Sequence, residues 1–210
     1  MSRASVAARA ARLVAGLKSL YPDAGCELKH GSALELLVAT ILSAQCTDQR
    51  VNLVTPALFA KYRTAKDYAG ADPAELEALV HATGFFRNKT KAILGLARAL
   101  LADHGGEVPE AMDDLVKLPG VGRKTANVLR SVWFHRQAIP VDTHVQRLAG
   151  RLGLTKETDP VAIEAALQKV LPEAEWSFAA TALIWHGRRV CFARNPQCAS
   201  CTLRADCPFP

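Results

Sequence analysis

The sequence lacks a long hydrophobic run, a low-complexity stretch and a repeat of the length that builds solenoids. No segment approaches the roughly 20 apolar residues that cross a bilayer, and residues 1–15 lack the apolar centre of a secretory signal. With 50% hydrophobic and 22% charged residues, the 210-residue chain is also not expected to be disordered. We therefore expect a compact, unexported, cytoplasmic protein with no membrane partner and with one large or two small domains.

Strand signals are nearly absent, whereas helix start and stop signals recur along the chain. Polar or Asp-Pro starts precede apolar residues at helical spacing. Between residues 87 and 103 the apolar residues predicted to face a core are Ile93, Leu94, Ala97 and Leu101. The pattern predicts an all-α protein of about ten helices joined by short turns. The predicted N-terminal residues are Ser32, Asp72-Pro73 and Asp159-Pro160.

Four of the six cysteines are crowded near the C-terminus in a C-x6-C-x2-C-x5-C pattern, as Cys191, Cys198, Cys201 and Cys207. Thiols stay reduced in the cytosol, so metal binding is favoured over disulfides. Zinc sites usually combine two short ligand pairs, whereas this pattern has a single C-x2-C, which favours a [4Fe-4S] cluster and leaves zinc as the alternative. The arginines that would stabilise the thiolates are Arg188, Arg189, Arg194 and Arg204. Cys26 and Cys46 are expected to be small buried side chains.

A glycine hairpin with adjacent cations lies at residues 118–127. Gly120 and Gly122 allow a sharp backbone turn before a helix, whose N-terminal N–H groups can bind an anion. Residues 115–141 contain no acidic residue, and the chain carries a formal net charge of +6. These features favour a nucleic-acid phosphate as the ligand over an ordinary turn with a solvated basic face.

Lys124 and Asp142 are the candidate reactive residues. Lys124 follows Arg123 at the helix N-terminus, and both features favour a neutral amine that could act as a nucleophile. A helical wheel places Lys124, Asn127 and Ser131 opposite the apolar side. Asp142 precedes a helix and could be a plain N-cap or an ionised carboxylate that takes part in chemistry, and His144 could pack or contact a phosphate.

These segments together resemble the endonuclease III family of DNA base-excision glycosylases, within the helix-hairpin-helix superfamily. The resemblance rests on residues 118–127, on Val141-Asp142-Thr143-His144 and on the cysteine spacing of residues 191–207. It implies a helix-hairpin-helix glycosylase fold with two helical lobes and a cleft between them. A six-helix domain would cover residues 26–136, and residues 1–25 plus 137–210 would form a discontinuous iron-sulfur domain with the [4Fe-4S] cluster.

The resemblance also implies roles for individual residues. Lys124 would be the Schiff-base nucleophile and Asp142 the essential carboxylate. Gln45 would fill the gap left by an extruded nucleotide, and Phe85 would unstack the duplex in place of the family's usual leucine. The DNA contacts would be completed by Gly120, Gly122, Arg123, His144 and Arg194. Arg87, Lys89, Lys91 and Arg98 would extend the basic surface.

The sequence therefore predicts a monomeric, bifunctional DNA glycosylase and apurinic/apyrimidinic lyase, at the nucleoid if the source is bacterial. Its partner would be double-stranded DNA that contains damaged pyrimidines or abasic sites. One alternative is a monofunctional glycosylase of the adenine-mismatch type, which lacks a lysine at this position. Two others are a non-enzymatic helix-hairpin-helix DNA-binding iron-sulfur protein and an electron carrier.

Overall fold

The computed structural model describes residues 3–209, with Arg3 and Ala4 described by their backbone alone. Met1, Ser2 and Pro210, which the predicted domain ranges include, lie outside these residues. Within residues 3–209 there are eleven α-helices, four short 3-10 turns and no strand. The all-α prediction is confirmed, and the helix count is close to the one expected.

The chain divides into two compact units. One unit runs from Cys26 to His135 and contains seven α-helices and a 3-10 turn at His81–Thr83. Six helices were expected in this range, and two of the seven observed, α4 and α7, are about one turn long. The helices are α2 (Ala33–Leu42), α3 (Asp48–Lys61), α4 (Ala65–Ala69), α5 (Pro73–Val80), α6 (Phe86–His104), α7 (Met112–Leu115) and α8 (Arg123–Val132).

The other unit is discontinuous, because it joins the described residues up to Gly25 to those from Arg136 onward. Its core is formed by apolar side chains of four longer helices, and Leu13 and Leu17 of the first are almost fully buried. These helices are α1 (Arg3–Leu20), α9 (Thr143–Arg151), α10 (Pro160–Val170) and α11 (Trp176–Arg189). The 3-10 turns of this unit are Glu173–Glu175, Cys198–Ser200 and Arg204–Asp206.

The predicted helix starts are confirmed, because each depends on contacts between residues close in sequence. Ser32 Oγ accepts the Glu35 N–H at 3.1 Å at the start of α2. Asp72 and Asp159 accept N–H groups of the first turns of α5 and α10, and each of these helices begins with proline. Such caps satisfy N–H groups that have no partner inside the helix.

Helix α6 lies in the core of the Cys26–His135 unit, and three of its four predicted core residues, Ile93, Leu94 and Ala97, are buried. Ile93, Leu96 and Leu100 are fully buried, whereas Leu101 is 40% exposed. The prediction is therefore wrong at Leu101 alone, and the buried face also includes Lys89. Ile93, Leu96 and Leu100 lie four, seven and eleven positions after Lys89, as expected for one side of a helix.

Two further expectations from the sequence are wrong. Cys26 is exposed and Cys46 is only half-buried, although both were expected to be small buried side chains. Asn127 is 1% exposed rather than on the solvent side of α8 with Lys124. Among the described residues, no helix is long and apolar enough to cross a membrane.

Candidate functional site

The glycine hairpin depends on its two glycines for different reasons. Gly120 has φ +78°, and a Cβ atom there would lie 2.9 Å from Ala92 Cβ, so both backbone and space require glycine. Gly122 has an ordinary φ of −90°, and a Cβ atom there would meet nothing within 4 Å, so the predicted need for positive φ holds at Gly120 alone. Gly122 is the exposed N-cap of α8, and no side chain caps this helix. The open space lets a ligand approach the backbone closely.

Lys124 lies in the first turn of α8, one residue after Arg123, and both side chains are exposed. No acidic residue occupies this turn. The positive end of the helix dipole therefore coincides with two cations at the hairpin. This arrangement can bind a phosphate and leaves the Lys124 amine accessible from solvent.

The segments that carry Gln45 and Phe85 both contain an unusual backbone conformation. Gln45 has φ +52° and Phe85 has φ +48°, in the left-handed region that side chains other than glycine rarely occupy. Gln45 is exposed, and Phe85 is 62% exposed although it is aromatic. Strained residues of this kind persist where the surrounding structure fixes them, and they occur often at functional sites.

An open groove in the Cys26–His135 unit, here called the loop groove, brings several predicted site residues together. Its empty volume is about 660 Å³, and its lining includes both loops, the hairpin and the first turn of α8. The lining residues are Thr40, Ile41, Ala44, Gln45, Phe85, Asn88, Lys89, Ala92, Gly120 and Thr125. The structure therefore places Gln45, Phe85 and Gly120 around one groove, beside the residue that follows Lys124.

Lys89 lies inside this unit and not on the basic surface predicted for it. Its side chain is 4% exposed, and Nζ donates to the carbonyl oxygens of Leu42 at 2.7 Å and Thr83 at 2.8 Å. Burial lowers the pKa of the Lys89 ammonium, and nearby Cys46 acts in the opposite direction. Arg87, Lys91 and Arg98 are exposed on α6 as predicted.

In the other unit, Asp142 is the N-cap of α9. Its Oδ1 atom accepts the N–H groups of His144 at 2.8 Å and Val145 at 2.9 Å. Both bonds use the same oxygen, so the cap does not use Oδ2. The capping interpretation is confirmed, and it leaves a carboxylate oxygen for chemistry.

His144 is half-buried against α11. Its Nδ1 atom lies 3.2 Å from Nη2 of Arg147, and a Cβ atom on Gly187 would lie 2.8 Å from Nδ1. Burial lowers the pKa of His144, Asp142 raises it, and Arg147 and Arg188 lower it. These contacts establish packing, while a phosphate contact by His144 stays a prediction. The meeting of Asp142 with Lys124, which belongs to the other unit, also stays a prediction.

The four C-terminal cysteines line a single small cavity. The pKa of the Cys201 thiol is raised by burial and further by Cys207, Cys191 and Cys198, while a backbone N–H at Leu203 lowers it. Within residues 3–209, no three His, Cys, Asp or Glu side chains converge closely enough for a single ion. Four cysteine sulfurs around a shared space are a donor set that fits a metal group held by thiolates.

Arg151 and His186, which sequence reasoning missed, contact two of the cysteine sulfurs. Arg151 Nη1 donates to Cys191 Sγ at 3.3 Å, and the same guanidinium donates to the carbonyls of Phe192 and Ala193. His186 Nε2 lies 3.5 Å from Cys201 Sγ. Arg151 thereby fixes the backbone immediately before the exposed Arg194. No local pattern marks these two residues, because their partners lie far along the chain.

Residues 38–173 match the HhH-GPD superfamily of base excision DNA repair proteins. The chain is 52% identical over 206 residues to endonuclease III of Synechocystis sp., an alignment that covers 98% of this chain and 94% of that protein. It is 48% identical over 189 residues to endonuclease III of Bacillus subtilis, covering 90% of this chain and 86% of that protein.

Solved structures give the same result. A trapped endonuclease III–DNA covalent intermediate is 44% identical and superposes with a TM-score of 0.92, covering 99% of this chain and 96% of that one. A non-covalent endonuclease III–DNA complex is 43% identical with the same TM-score and coverage. A thermostable thymine-DNA glycosylase, 20% identical with a TM-score of 0.85, shares the fold.

Proposed function

Because this chain belongs to the endonuclease III family, within the HhH-GPD superfamily of base excision DNA repair proteins, we propose specific roles for its own residues in that repair reaction. The protein is a DNA glycosylase and apurinic/apyrimidinic lyase that acts on damaged DNA. The observation that carries the proposal is the grouping of Gln45, Phe85 and Gly120 around the loop groove, beside the turn that presents Lys124. We propose that its substrates are oxidised pyrimidines and abasic sites in duplex DNA.

The hairpin would hold the DNA strand. An uncapped helix N-terminus with Arg123 and no acidic residue in its first turn is suited to bind a phosphate. Gly122 leaves room for that phosphate to approach the backbone. In the discontinuous unit, Arg194 would contact a second phosphate. Arg151 holds the backbone of this segment through the carbonyl groups of Phe192 and Ala193. Phosphate contacts fix the register of the protein on the duplex, and the reacting groups act from that position.

Opening of the duplex would be the task of Phe85 and Gln45. A damaged nucleotide must leave the base stack before its sugar can be reached, at a cost of a few kcal/mol. The exposed Phe85 ring can stack on a neighbouring base, which recovers on the order of 1–3 kcal/mol. Gln45 would occupy the vacated position and hydrogen-bond the base that is left without a partner.

The chemical step requires a nucleophile and a carboxylate. The Lys124 amine would attack C1′ of the extruded nucleotide while the N-glycosidic bond breaks and the base departs with a proton. The amine then loses a proton and the C1′–O4′ bond opens, with a proton going to O4′, which gives a Schiff base between Lys124 and C1′. This Schiff base acidifies the hydrogens at C2′, and loss of one of them expels the 3′ phosphate by β-elimination. Water then hydrolyses the Schiff base and frees the amine. Asp142 would stabilise the positive charge that develops on the sugar and help to move protons.

The test is turnover on a duplex with a single oxidised pyrimidine, next to an undamaged duplex of the same sequence. We expect base release, a nick on the 3′ side of the lesion, and a covalent protein–DNA product when borohydride is present. Base release without nicking would identify the monofunctional alternative. Tight binding without either product would identify a non-enzymatic module.

We also propose that Cys191, Cys198, Cys201 and Cys207 bind a [4Fe-4S] cluster. When bound, the cluster would cross-link the C-terminal segment, and its thiolate ligands would accept hydrogen bonds from Arg151 and His186. Such a role is structural, because it holds the segment that carries Arg194. The proposal is supported by the shared cavity and by the chemistry of four neighbouring thiols.

The purified protein is expected to show broad visible absorbance and to contain iron and acid-labile sulfide in equal amounts. Cys198→Ser should remove or destabilise this absorbance, because it removes one thiolate ligand. Cys26→Ser changes an exposed cysteine of the Cys26–His135 unit, is the matched control and should leave the spectrum unchanged. A colourless protein with stoichiometric zinc would contradict the iron-sulfur assignment.

A further inference from the structure

Lys89 is a buried cation whose bonds, as the structure shows them, go to backbone carbonyls. Its side chain is 4% exposed, and none of the ion pairs found among the described residues includes it. Removing an ammonium group from water is costly unless fixed acceptors replace the lost hydration. The two short bonds to Leu42 and Thr83 supply such acceptors. A hydrophobic side chain would fill this position without that desolvation cost, so packing alone does not account for a lysine.

The two carbonyl groups occupy equivalent places in the chain. Leu42 is the last residue of α2, and Thr83 is the last residue of the 3-10 turn His81–Thr83. Terminal carbonyls of helices have no partner further along the helix and carry partial negative charge, which suits a cation. A single ammonium group therefore joins the ends of two helical segments. These ends, Leu42 and Thr83, are 41 positions apart in the sequence.

Each of these segment ends leads directly into one of the strained loops. Gln45 follows Leu42 by three residues, Phe85 follows Thr83 by two, and both have left-handed backbones. The backbone N–H of Lys89 also donates to the Phe85 carbonyl at 3.1 Å. Lys89 thus bonds the backbone at Thr83 through its side chain and at Phe85 through its main chain. Lys89 itself lines the loop groove with Gln45 and Phe85.

We propose that Lys89 is a positioning residue that holds the Gln45 and Phe85 loops at a fixed separation before DNA binds. This inference rests on the proposed function, in which these two side chains enter the duplex. Loops ordered in advance do not lose conformational freedom on binding, so more of the stacking energy remains to offset base extrusion. A loop displaced by about 1 Å can lower a rate by on the order of a hundredfold. Lys89 would act only through the loops and would not touch the reacting atoms.

The decisive variant is Lys89→Met, which keeps the length of the side chain and removes its N–H donors. We expect single-turnover excision from a lesion duplex to slow by on the order of tenfold to a hundredfold. Lyase cleavage of a single-stranded abasic oligonucleotide should keep its rate, because that substrate needs no duplex opening. The fluorescence of 2-aminopurine placed beside the lesion, which reports unstacking, should fall with the excision rate. Rates are normalised to the fraction of protein that borohydride traps on abasic DNA, so unfolded molecules do not count.

Controls separate this inference from its premise and from a purely structural role. Lys66→Met removes an exposed lysine of the same unit and should change none of these quantities. Phe85→Ala should slow duplex excision, and Lys89→Met should have a smaller effect in that background, because both changes affect one step. If Phe85→Ala is silent, the insertion role and the inference both fail. If Phe85→Ala slows excision but Lys89→Met does not, or if Lys89→Met slows duplex and single-strand reactions equally, the positioning role alone is overturned.

A second variant covers the case in which Lys89→Met does not fold. Lys89→Gln is shorter and retains an N–H donor for one carbonyl, so its duplex excision rate should lie between those of Lys89→Met and the unchanged protein. If Lys89→Gln has full duplex activity and normal 2-aminopurine fluorescence, simultaneous hydrogen bonds to both carbonyl groups are not needed. Such a result would overturn the inference without bearing on Lys124 or Asp142.

Discussion

Lys124→Ala is expected to abolish covalent trapping on abasic DNA and to lower nicking by on the order of 10³-fold or more, the scale on which loss of a covalent nucleophile acts. The side chain is exposed in the first turn of α8, so its removal should change the free energy of unfolding by less than about 0.5 kcal/mol. Binding to DNA should weaken only slightly, because Arg123 and the helix N-terminus remain. The measurement is gel detection of the borohydride-reduced adduct, with thermal unfolding as the check on folding.

The matched control for this variant is Lys66→Ala, another exposed lysine of the Cys26–His135 unit. It should be trapped as efficiently as the unchanged protein. Trapping that survives Lys124→Ala would mean that another amine forms the Schiff base. The assignment of the nucleophile, and with it the proposed chemistry at the hairpin, would then be wrong.

Asp142→Asn is expected to lower base excision by on the order of 10²- to 10⁴-fold while the protein remains folded and bound to abasic DNA. An asparagine Oδ1 atom can accept the same two N–H groups that Asp142 Oδ1 accepts, so the cap of α9 survives. The substitution therefore removes the negative charge and keeps the local structure. Single-turnover excision, DNA binding and thermal unfolding measured on one preparation test the three parts of this expectation.

Asp142→Ala separates the two roles further. It should lose activity as Asp142→Asn does and should also destabilise the fold by about 1 kcal/mol, because the cap is lost. If Asp142→Asn retains full excision while Asp142→Ala is only less stable, the carboxylate is a helix cap and takes no part in the reaction. Equal loss of activity in both, with unequal stability, supports the catalytic role.

Some features of the fold follow from the sequence because they depend on neighbours along the chain. The caps at Ser32, Asp72 and Asp142 each bond to N–H groups two or three residues away, so their helices could be predicted. Gly120 has the left-handed backbone expected of a hairpin glycine. The clustering of four cysteines within residues 191–207 likewise brings them close by chain length alone.

Lys89 shows where such reasoning failed and which signal was available. It lies four residues before Ile93, seven before Leu96 and eleven before Leu100, all of them fully buried, so its phase on α6 places it on the buried face. Lys89 was instead expected to extend the basic surface with Arg87, Lys91 and Arg98. Helical phase was the better guide here than residue type, because the carbonyl groups of Leu42 and Thr83 replace the water around the ammonium group.

The sequence by itself determined the all-α class, the capped helix starts and the four thiols, since these follow from periodicity and from contacts over a few residues. Tertiary structure alone decided that Gln45, Phe85 and Gly120 line one groove, that Lys89 joins two helical ends, and that Arg151 and His186 reach the cysteine sulfurs. Most of these contacts join residues tens of positions apart. They depend on how whole helices pack, which no local pattern encodes.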